Sequence, residues 1–393
     1  MNRLTIVVLI AVVICVSIFR STTFVSAQTP TPSPLDKSLS KQLDKSLSNY
    51  MSSKNHVPGL AVAVISIPDA SNQPQVSEFF YGTTKKGAKQ LPDSSTIFGI
   101  GSESKVFTAV LLAGFVEDGQ VKLSDPIQKY LPADVHAPTY QGKQITLLDL
   151  ATHRSGLPDS PSNKGKGKNK ADPSDYSLQD LYDWLNSYQL TRAPGSQWEY
   201  SNIGFGLLGT LLSTLANQSY DDLMDKYMGT PLDMPDTVVF LSPEQLKRAA
   251  QGYDGSGQPA EMMTTKSSSE VIGGGQLSST ISDMEHFMEA NLGVLGDKRT
   301  TAIFDLTQKI VADGNNDNAR MGLGWQIAMP KKNQTAPRYW KDGEASGFHS
   351  FMTFIKDKGQ KVAVAMLGNG IDSGSGFEPL GVQMLNLVDG VGN

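Results

Sequence analysis

Ser102 and Lys105 stand three residues apart in Phe98-Gly99-Ile100-Gly101-Ser102-Glu103-Ser104-Lys105, where a short apolar strand runs into a helix start. That spacing puts both side chains on one helical face, so an amine can take the proton of a hydroxyl presented at the positive helix end. The hydroxyl then becomes a nucleophile suited to carbonyl carbon. Spacing alone is weak, because Ser38 and Lys41 repeat it inside an amphipathic stretch where both read as solvated surface residues. Ser102 differs in following a strand and a glycine, the setting in which nucleophiles are presented.

Other chemistries find less support. The chain has no Gly-x-Ser-x-Gly elbow, and none of its five histidines (His56, His136, His153, His286, His349) forms an obvious base for a presented serine. No two histidines are spaced as metal ligands, and the single cysteine, Cys15, lies in an apolar leader. Neither a metal nor another cofactor is therefore expected. Gly273-Gly274-Gly275 lacks a following Lys-Ser or Lys-Thr and reads as a tight backbone turn, not a phosphate loop. His153 reads as structural. A net charge of −5 and a pI near 5.6 give no electrostatic footprint for nucleic acid.

The elements that must hold Ser102 and Lys105 are legible from periodicity. With 39% hydrophobic and 19% charged residues over 393 positions, the chain can bury a large core. Two near copies of an octamer place Leu35, Leu39, Leu43 and Leu47 four apart, with Met51 following, which is one apolar stripe on a helix. Gly59–Ile67 and Gln75–Thr83 read as a hairpin. Helical patterns follow at Lys105–Asp118, Leu178–Tyr188, Gly204–Ala216 and Tyr220–Met228, and a further helix is expected to open at Ser282 with Glu285 as its capping partner. Gly324–Ala328, Phe348–Ile355 and Lys361–Leu367 read as strands, and Phe377–Val388 as a last helix. Between the helices, residues 161–175 form a Lys, Gly and Ser insert without apolar periodicity, a mobile surface loop or, on the sharper reading, a basic patch for an anionic polymer. The expected architecture is a sheet built from both termini, about 35–100 and 275–393, with an all-helical part, about 101–274, inserted between them.

The N-terminus reads as an address. Arg3, the apolar run Leu4–Phe19 and the small residues Val25-Ser26-Ala27 form an export signal cleaved after Ala27, with an uncleaved membrane anchor as the alternative. Residues 28–34 (QTPTPSP) would then be an extended tether. A periplasmic or secreted protein without a stable membrane anchor is expected.

Two distant segments complete the pattern. Tyr200-Ser201-Asn202 contains Tyr-x-Asn, and Trp340-Lys341-Asp342-Gly343 is followed by Glu344-Ala345-Ser346-Gly347-Phe348. With Ser102-x-x-Lys105 these resemble the active-site elements of the penicillin-recognising serine hydrolases, most closely the class C β-lactamases and the related D-alanyl-D-alanine carboxypeptidases and endopeptidases. Similar stretches run in family order from Gly59 to Asn369, nearly the whole chain after the leader. The resemblance implies an α+β fold of the β-lactamase/transpeptidase kind, with an antiparallel sheet flanked by helices. It also implies an acyl-enzyme on Ser102, with Lys105 and Tyr200 relaying its proton, Asn202 binding the substrate amide and Lys341, on an edge strand, its carboxylate. Gly343 would lie in the same binding strand, and the backbone N–H groups of Ser102 and Glu344 would form the oxyanion hole. On chemical grounds a tyrosine near two cations is pushed toward phenolate and a buried lysine facing another toward the neutral amine; which group is formally the base stays open.

Departures bear on the substrate. Asp342 stands where the family usually carries Thr or Ser, and it either sets a negative charge in the cleft or pairs with a nearby cation. Glu103 takes a position usually apolar, and Gly99 replaces a frequent Glu. Three readings follow: a hydrolase of β-lactams or of D-Ala-D-Ala cell-wall peptides, a carboxylesterase of the same fold, or a non-catalytic binding or sensing protein. The four intact groups Ser102, Lys105, Tyr200 and Lys341 argue against the last.

Overall fold

The computed structural model describes residues 34–390 except 54–56, 69–72, 165–175, 261–270, 332–333, 346, 357–359 and 372–375. The expected export signal, the tether up to residue 33 and most of the Lys-rich insert lie outside the described residues.

Strands β1 (Gly59–Pro68), β2 (Gln75–Gly82), β3 (Ala312–Asp313), β4 (Ala319–Met321), β5 (Gln326–Ala328), β6 (Arg338–Ala345), β7 (Phe348–Lys356) and β8 (Gln360–Gly368) form one sheet in the order β2-β1-β8-β7-β6-β5-β4-β3. Every pairing is antiparallel. The N-terminal hairpin thus pairs with the C-terminal strands, Leu60 opposite Gly368 and Ala63 opposite Ala365. Alternation along each strand divides the core in two. Leu60, Val62 and Val64 join Phe351, Val364 and Met366 on one face, while Ala61, Ala63 and Ile65 join Met352, Ala363 and Ala365 on the other. Both faces are covered, which is why these strands read as continuous apolar runs.

Helices α1 (Lys37–Met51) and α7 (Phe377–Asp389) pack on the first face. Asp36 caps α1 by accepting from the N–H groups of Ser38 and Leu39, and the octamer stripe seats Leu43 and Leu47 in the core. On the other face α5 (Ile281–Asn291) packs against β1 and β8, and α2 (Ser104–Glu117), α4 (Asn202–Ala216) and α6 (Lys298–Gln308) extend the same apolar core, with α3 (Leu178–Ser187) farther along the chain's helical middle. From Ser104 to Phe115 every residue of α2 is buried, so this helix is central and not one-sided. No helix among the described residues is long and apolar enough to cross a membrane.

Three sequence expectations need correction. The stretch expected as one helix over Tyr220–Met228 is α-helical only to Met224; Asp225–Gly229 widens into a π turn before Thr230–Leu232. Helix α5 opens at Ile281 rather than at Ser282, with Thr280 as its cap accepting from Asp283 N–H. Two overlapping Ser/Thr-x-x-acid frames compete there, and the earlier one brings fully buried Ile281 into the helix. The last strand before the site starts at Gln326, not Gly324, whose φ of +73° belongs to a turn.

Candidate active site

Ser102 is held by a tight turn between a strand and a helix. Phe98–Gly99 pairs with Ser278–Ser279, and the chain then enters a 3₁₀ turn, Gly101–Glu103, that runs directly into α2. Gly101 has φ +48°, and a Cβ there would lie 2.7 Å from the backbone nitrogen of Glu344. A Cβ on Gly343 would lie 2.1 Å from the carbonyl oxygen of Ile100. These two glycines therefore let β6 press its backbone against the turn that carries Ser102. The Ser104 hydroxyl ties the turn further, donating to Gly101 O at 2.6 Å while accepting from Leu277 N–H at 3.1 Å.

Sequence-distant groups converge on half-buried Ser102. Lys105 Nζ lies 2.9 Å from Ser102 Oγ, and the Tyr200 hydroxyl donates to the same oxygen at 2.6 Å. Lys105 Nζ also donates to Asn202 Oδ1 at 2.6 Å and to Gly274 O. The side chain of Lys105 has no solvent exposure; burial first, and the Lys341 charge second, push its pKa well below the usual lysine value. A neutral amine has two hydrogens and one lone pair. Asn202 and Gly274 take the hydrogens, and the lone pair is left for the Ser102 hydroxyl.

Tyr200 departs from the expectation of a phenolate. Burial raises its pKa, and although Lys341 and the Ser102 bond pull it down, burial prevails. The phenol keeps its proton, so the ring is a hydrogen-bond donor to Ser102 in the resting site. Burial, which only the fold reveals, is the missing physical factor.

His153 holds Tyr200 in place. Its ring lies 4.5 Å from the Tyr200 ring, its Nδ1 accepts from Ser201 N–H at 3.1 Å and its carbonyl accepts from Glu199 N–H at 2.7 Å. Burial first, and then the Lys341 charge, hold the imidazole neutral, with a pKa well below the usual value. Asn202 is the first residue of α4, capped by Ser201 Oγ accepting from Gly204 N–H at 2.9 Å. The three glycines wrap a side chain, since Gln276 Oε1 accepts from the N–H groups of Gly273, Gly274 and Gly275. That turn, expected from the sequence as a backbone device, aims the Gly274 carbonyl at Lys105.

Lys341 lies on β6, an interior strand in the sheet order rather than the edge strand expected. Yet β5 pairs with Arg338–Trp340, and from Lys341 onward that side of β6 carries no strand among the described residues. Lys341 Nζ, 1% exposed, donates to its neighbour's carbonyl at 2.8 Å and to Asp342 Oδ1 at 3.0 Å. Asp342 therefore pairs with a cation, the second of the two outcomes weighed from the sequence. Burial alone would lower the pKa of Lys341, but the Asp342 carboxylate outweighs it and holds the ammonium charged. Burial likewise works to raise the pKa of Asp342, and Lys341 reverses it. Glu103 is fully buried with neither carboxyl oxygen hydrogen-bonded; the nearby Ser350 hydroxyl donates instead to Ile100 O at 2.9 Å. Burial raises its pKa well above the usual range against the pull of Lys341, so the carboxyl is neutral.

Asp159 is the residue that sequence reasoning missed. Its carbonyl accepts from the N–H groups of Asn202 and Ile203, both at 3.1 Å, and its Oδ1 accepts from Asn202 Nδ2 at 2.7 Å. A cavity of about 320 Å³ opens beside Asp159, Asn202, Gly274 and Ala345. A larger one, about 680 Å³, is lined by Thr210, Asn217, Tyr220 and Phe240 and by none of the reacting groups. The smaller cavity adjoins the site through Asn202 and Gly274, which both bond Lys105.

Comparison with known proteins agrees with the geometry. Residues 39–385 match the sequence model of the Beta-lactamase family. The D-alanyl-D-alanine-carboxypeptidase/endopeptidase AmpH of Escherichia coli strain K12 is 31% identical over 289 residues, 71% of this chain and 72% of that protein. A beta-lactamase of Pseudomonas fluorescens is 27% identical over 82% of this chain and 92% of its own length. The crystal structure of a beta-lactamase/D-alanine carboxypeptidase from Yersinia pestis, complexed with citrate, superposes with a TM-score of 0.73 at 25% identity, covering 89% of this chain and 99% of that one.

Proposed function

The chain belongs to the beta-lactamase family and is a serine hydrolase of that type, and from that premise we propose that it is exported and hydrolyses β-lactams or D-Ala-D-Ala cell-wall peptides through an acyl-enzyme on Ser102. The observation that carries this reading is the Ser102 oxygen held between Lys105 Nζ at 2.9 Å and the Tyr200 hydroxyl at 2.6 Å. In the first half-reaction Ser102 Oγ bonds to the carbonyl carbon and its proton passes to the Lys105 lone pair. The bond to the leaving nitrogen then breaks, and the Lys105–Tyr200 pair returns a proton to that nitrogen. Water repeats the sequence on the ester, releasing the acid and restoring the Ser102 hydroxyl. Positioned proton transfer of this kind contributes about 10²–10⁴ in rate. The backbone N–H groups of Ser102 and Glu344 would hold the oxyanion, each worth about 10²–10³. The close packing of Gly101 on Glu344 supports that assignment.

A second reading, a carboxylesterase, is favoured by one observation. Lys341, which would anchor a substrate carboxylate, is already paired with Asp342 at 3.0 Å, and a neutral ester needs no such anchor. Steady-state assays with a chromogenic cephalosporin, a D-Ala-D-Ala peptide and a p-nitrophenyl ester separate the two. Turnover of either of the first two supports the main reading, and turnover of the ester alone supports the second. Export is supported by the basic, apolar and small-residue order of residues 1–27.

A further inference from the structure

Asp159 stands on the acyl side of the site, fixed at the start of α4 by its own backbone and by the Asn202 amide. Among the described residues, its Oδ2 accepts only a hydroxyl hydrogen from Ser160, at 3.1 Å. Among the described residues no ion pair uses its carboxylate. The side chain is exposed and borders the 320 Å³ cavity, whose other walls include Tyr176, Ile203, Val271 and Ala345. Lys164 also lines this cavity but is exposed and leaves Asp159 unpaired. The Asp159 charge reaches the reacting centre, acting on both Lys105 and Tyr200.

Two consequences follow. One hydrogen of the Asn202 amide nitrogen, the donor that would hold a substrate's acyl amide, is taken by Asp159. Beside it lies a carboxylate bordering a cavity of mixed lining, with Tyr176, Ile203 and Val271 as apolar walls and Ser160, Lys164 and Gln276 as polar ones, which offers an ammonium-bearing apolar group both an acceptor and an apolar surface. A cavity of this volume holds an amino-acid-sized group rather than a polymer. We propose that Asp159 is a specificity-determining residue that receives an ammonium group on the acyl side of the substrate, so that the enzyme selects free α-amino acyl groups over the same groups without the amine. The inference rests on the acyl-enzyme reading and holds whether the bond cleaved is an amide, a β-lactam or an ester.

The test measures second-order rate constants for acylation of Ser102 by intact-protein mass spectrometry, which needs no deacylation. Matched pairs serve as probes: a penicillin with an α-amino group and its counterpart without it, and D-alanine p-nitrophenyl ester and its N-acetyl form. At pH 7 the amine-bearing member should react about tenfold faster. That ratio should fall toward one as pH rises through the substrate amine's own pKa, a change that a purely structural Asp159 would not produce. It should also fall toward one in Asp159→Asn, whose side-chain oxygen still accepts from Asn202. Equal rates for both members, or a ratio unchanged in Asp159→Asn, overturn the proposal and leave the acyl-enzyme reading intact. If no probe modifies Ser102 and none is turned over, that reading fails and takes this one with it; where a probe is turned over without an accumulating adduct, its kcat/KM replaces the acylation rate in the same ratio.

Discussion

Replacing Asp342 by Thr should redirect the enzyme toward substrates that carry a carboxylate. In the native site the Asp342 carboxylate lies 3.0 Å from Lys341 Nζ. A substrate carboxylate docking on the same ammonium would stand roughly 5 Å from the Asp342 charge, and at effective dielectrics of about 20–80 the repulsion is about 1–3 kcal/mol. Because the Asp342 side chain is 36% exposed, solvent screening favours the lower half of that range. About 1–2 kcal/mol corresponds to roughly 5–30-fold in kcat/KM. Asp342→Thr removes this repulsion, frees Lys341 and supplies a hydroxyl donor. The assay is the ratio of kcat/KM for a carboxylate-bearing cephalosporin to that for a neutral p-nitrophenyl ester, which should rise by that factor. High salt should raise the native ratio modestly, since it screens the same charge. A ratio that stays constant or falls in the variant would show that Asp342 does not face the substrate electrostatically, and the reasoning would be refuted.

The pH dependence of acylation should have two limbs. Lys105 must be neutral and its pKa is depressed, so activity persists far below pH 10 and is lost on the acid side as the amine gains its proton; Tyr200 must keep its proton and its pKa is raised, so the alkaline limb lies above the ordinary tyrosine value. A pH–rate profile for kcat/KM checks both limbs, and an alkaline optimum set by an unperturbed lysine would contradict them. Stability should respond to Glu285, whose carboxyl is pushed up to about 8 by burial and then by Glu289 and Glu78. The folded state holds this proton more tightly than the unfolded chain, so the stability it contributes is present below the unfolded value near 4.5 and is lost as pH rises toward about 8. Glu285→Gln should accordingly raise stability at pH 8 by about 1–3 kcal/mol and change it little at pH 4, which thermal melts at the two pH values would detect.

Much of this site was written in local spacing. Ser102 and Lys105 were legible because a three-residue interval on a helix fixes which side chains meet, and Tyr200 and Lys341 because their segments resemble known elements. The sheet was legible for a similar reason, since strands buried on both faces leave continuous apolar runs such as Gly59–Ile67. What escaped depends on the folded surroundings. Tyr200 was expected as a phenolate because its cationic neighbours could be guessed, whereas its burial could not. Asp159 gave no local signal, because its importance comes from meeting Asn202 across 43 positions of chain. Glu103 looked like an odd residue beside the nucleophile, and only the packing of β6 and β7 over the turn makes it a buried neutral acid. Helix α6 went unseen because Lys298–Gln308 carries a weak apolar stripe, and it is defined by packing against α2.

The proposed chemistry turns on one oxygen atom, Ser102 Oγ, and the two groups that hold it. Incubation with a reactive acylating probe such as a fluorescent penicillin, followed by peptide mass spectrometry, tests it most directly. A single adduct should form on Ser102, absent in Ser102→Ala and formed at least about 100-fold more slowly in Lys105→Met. Equal labelling of Ser102→Ala, or an adduct mapped to any other residue, would contradict it.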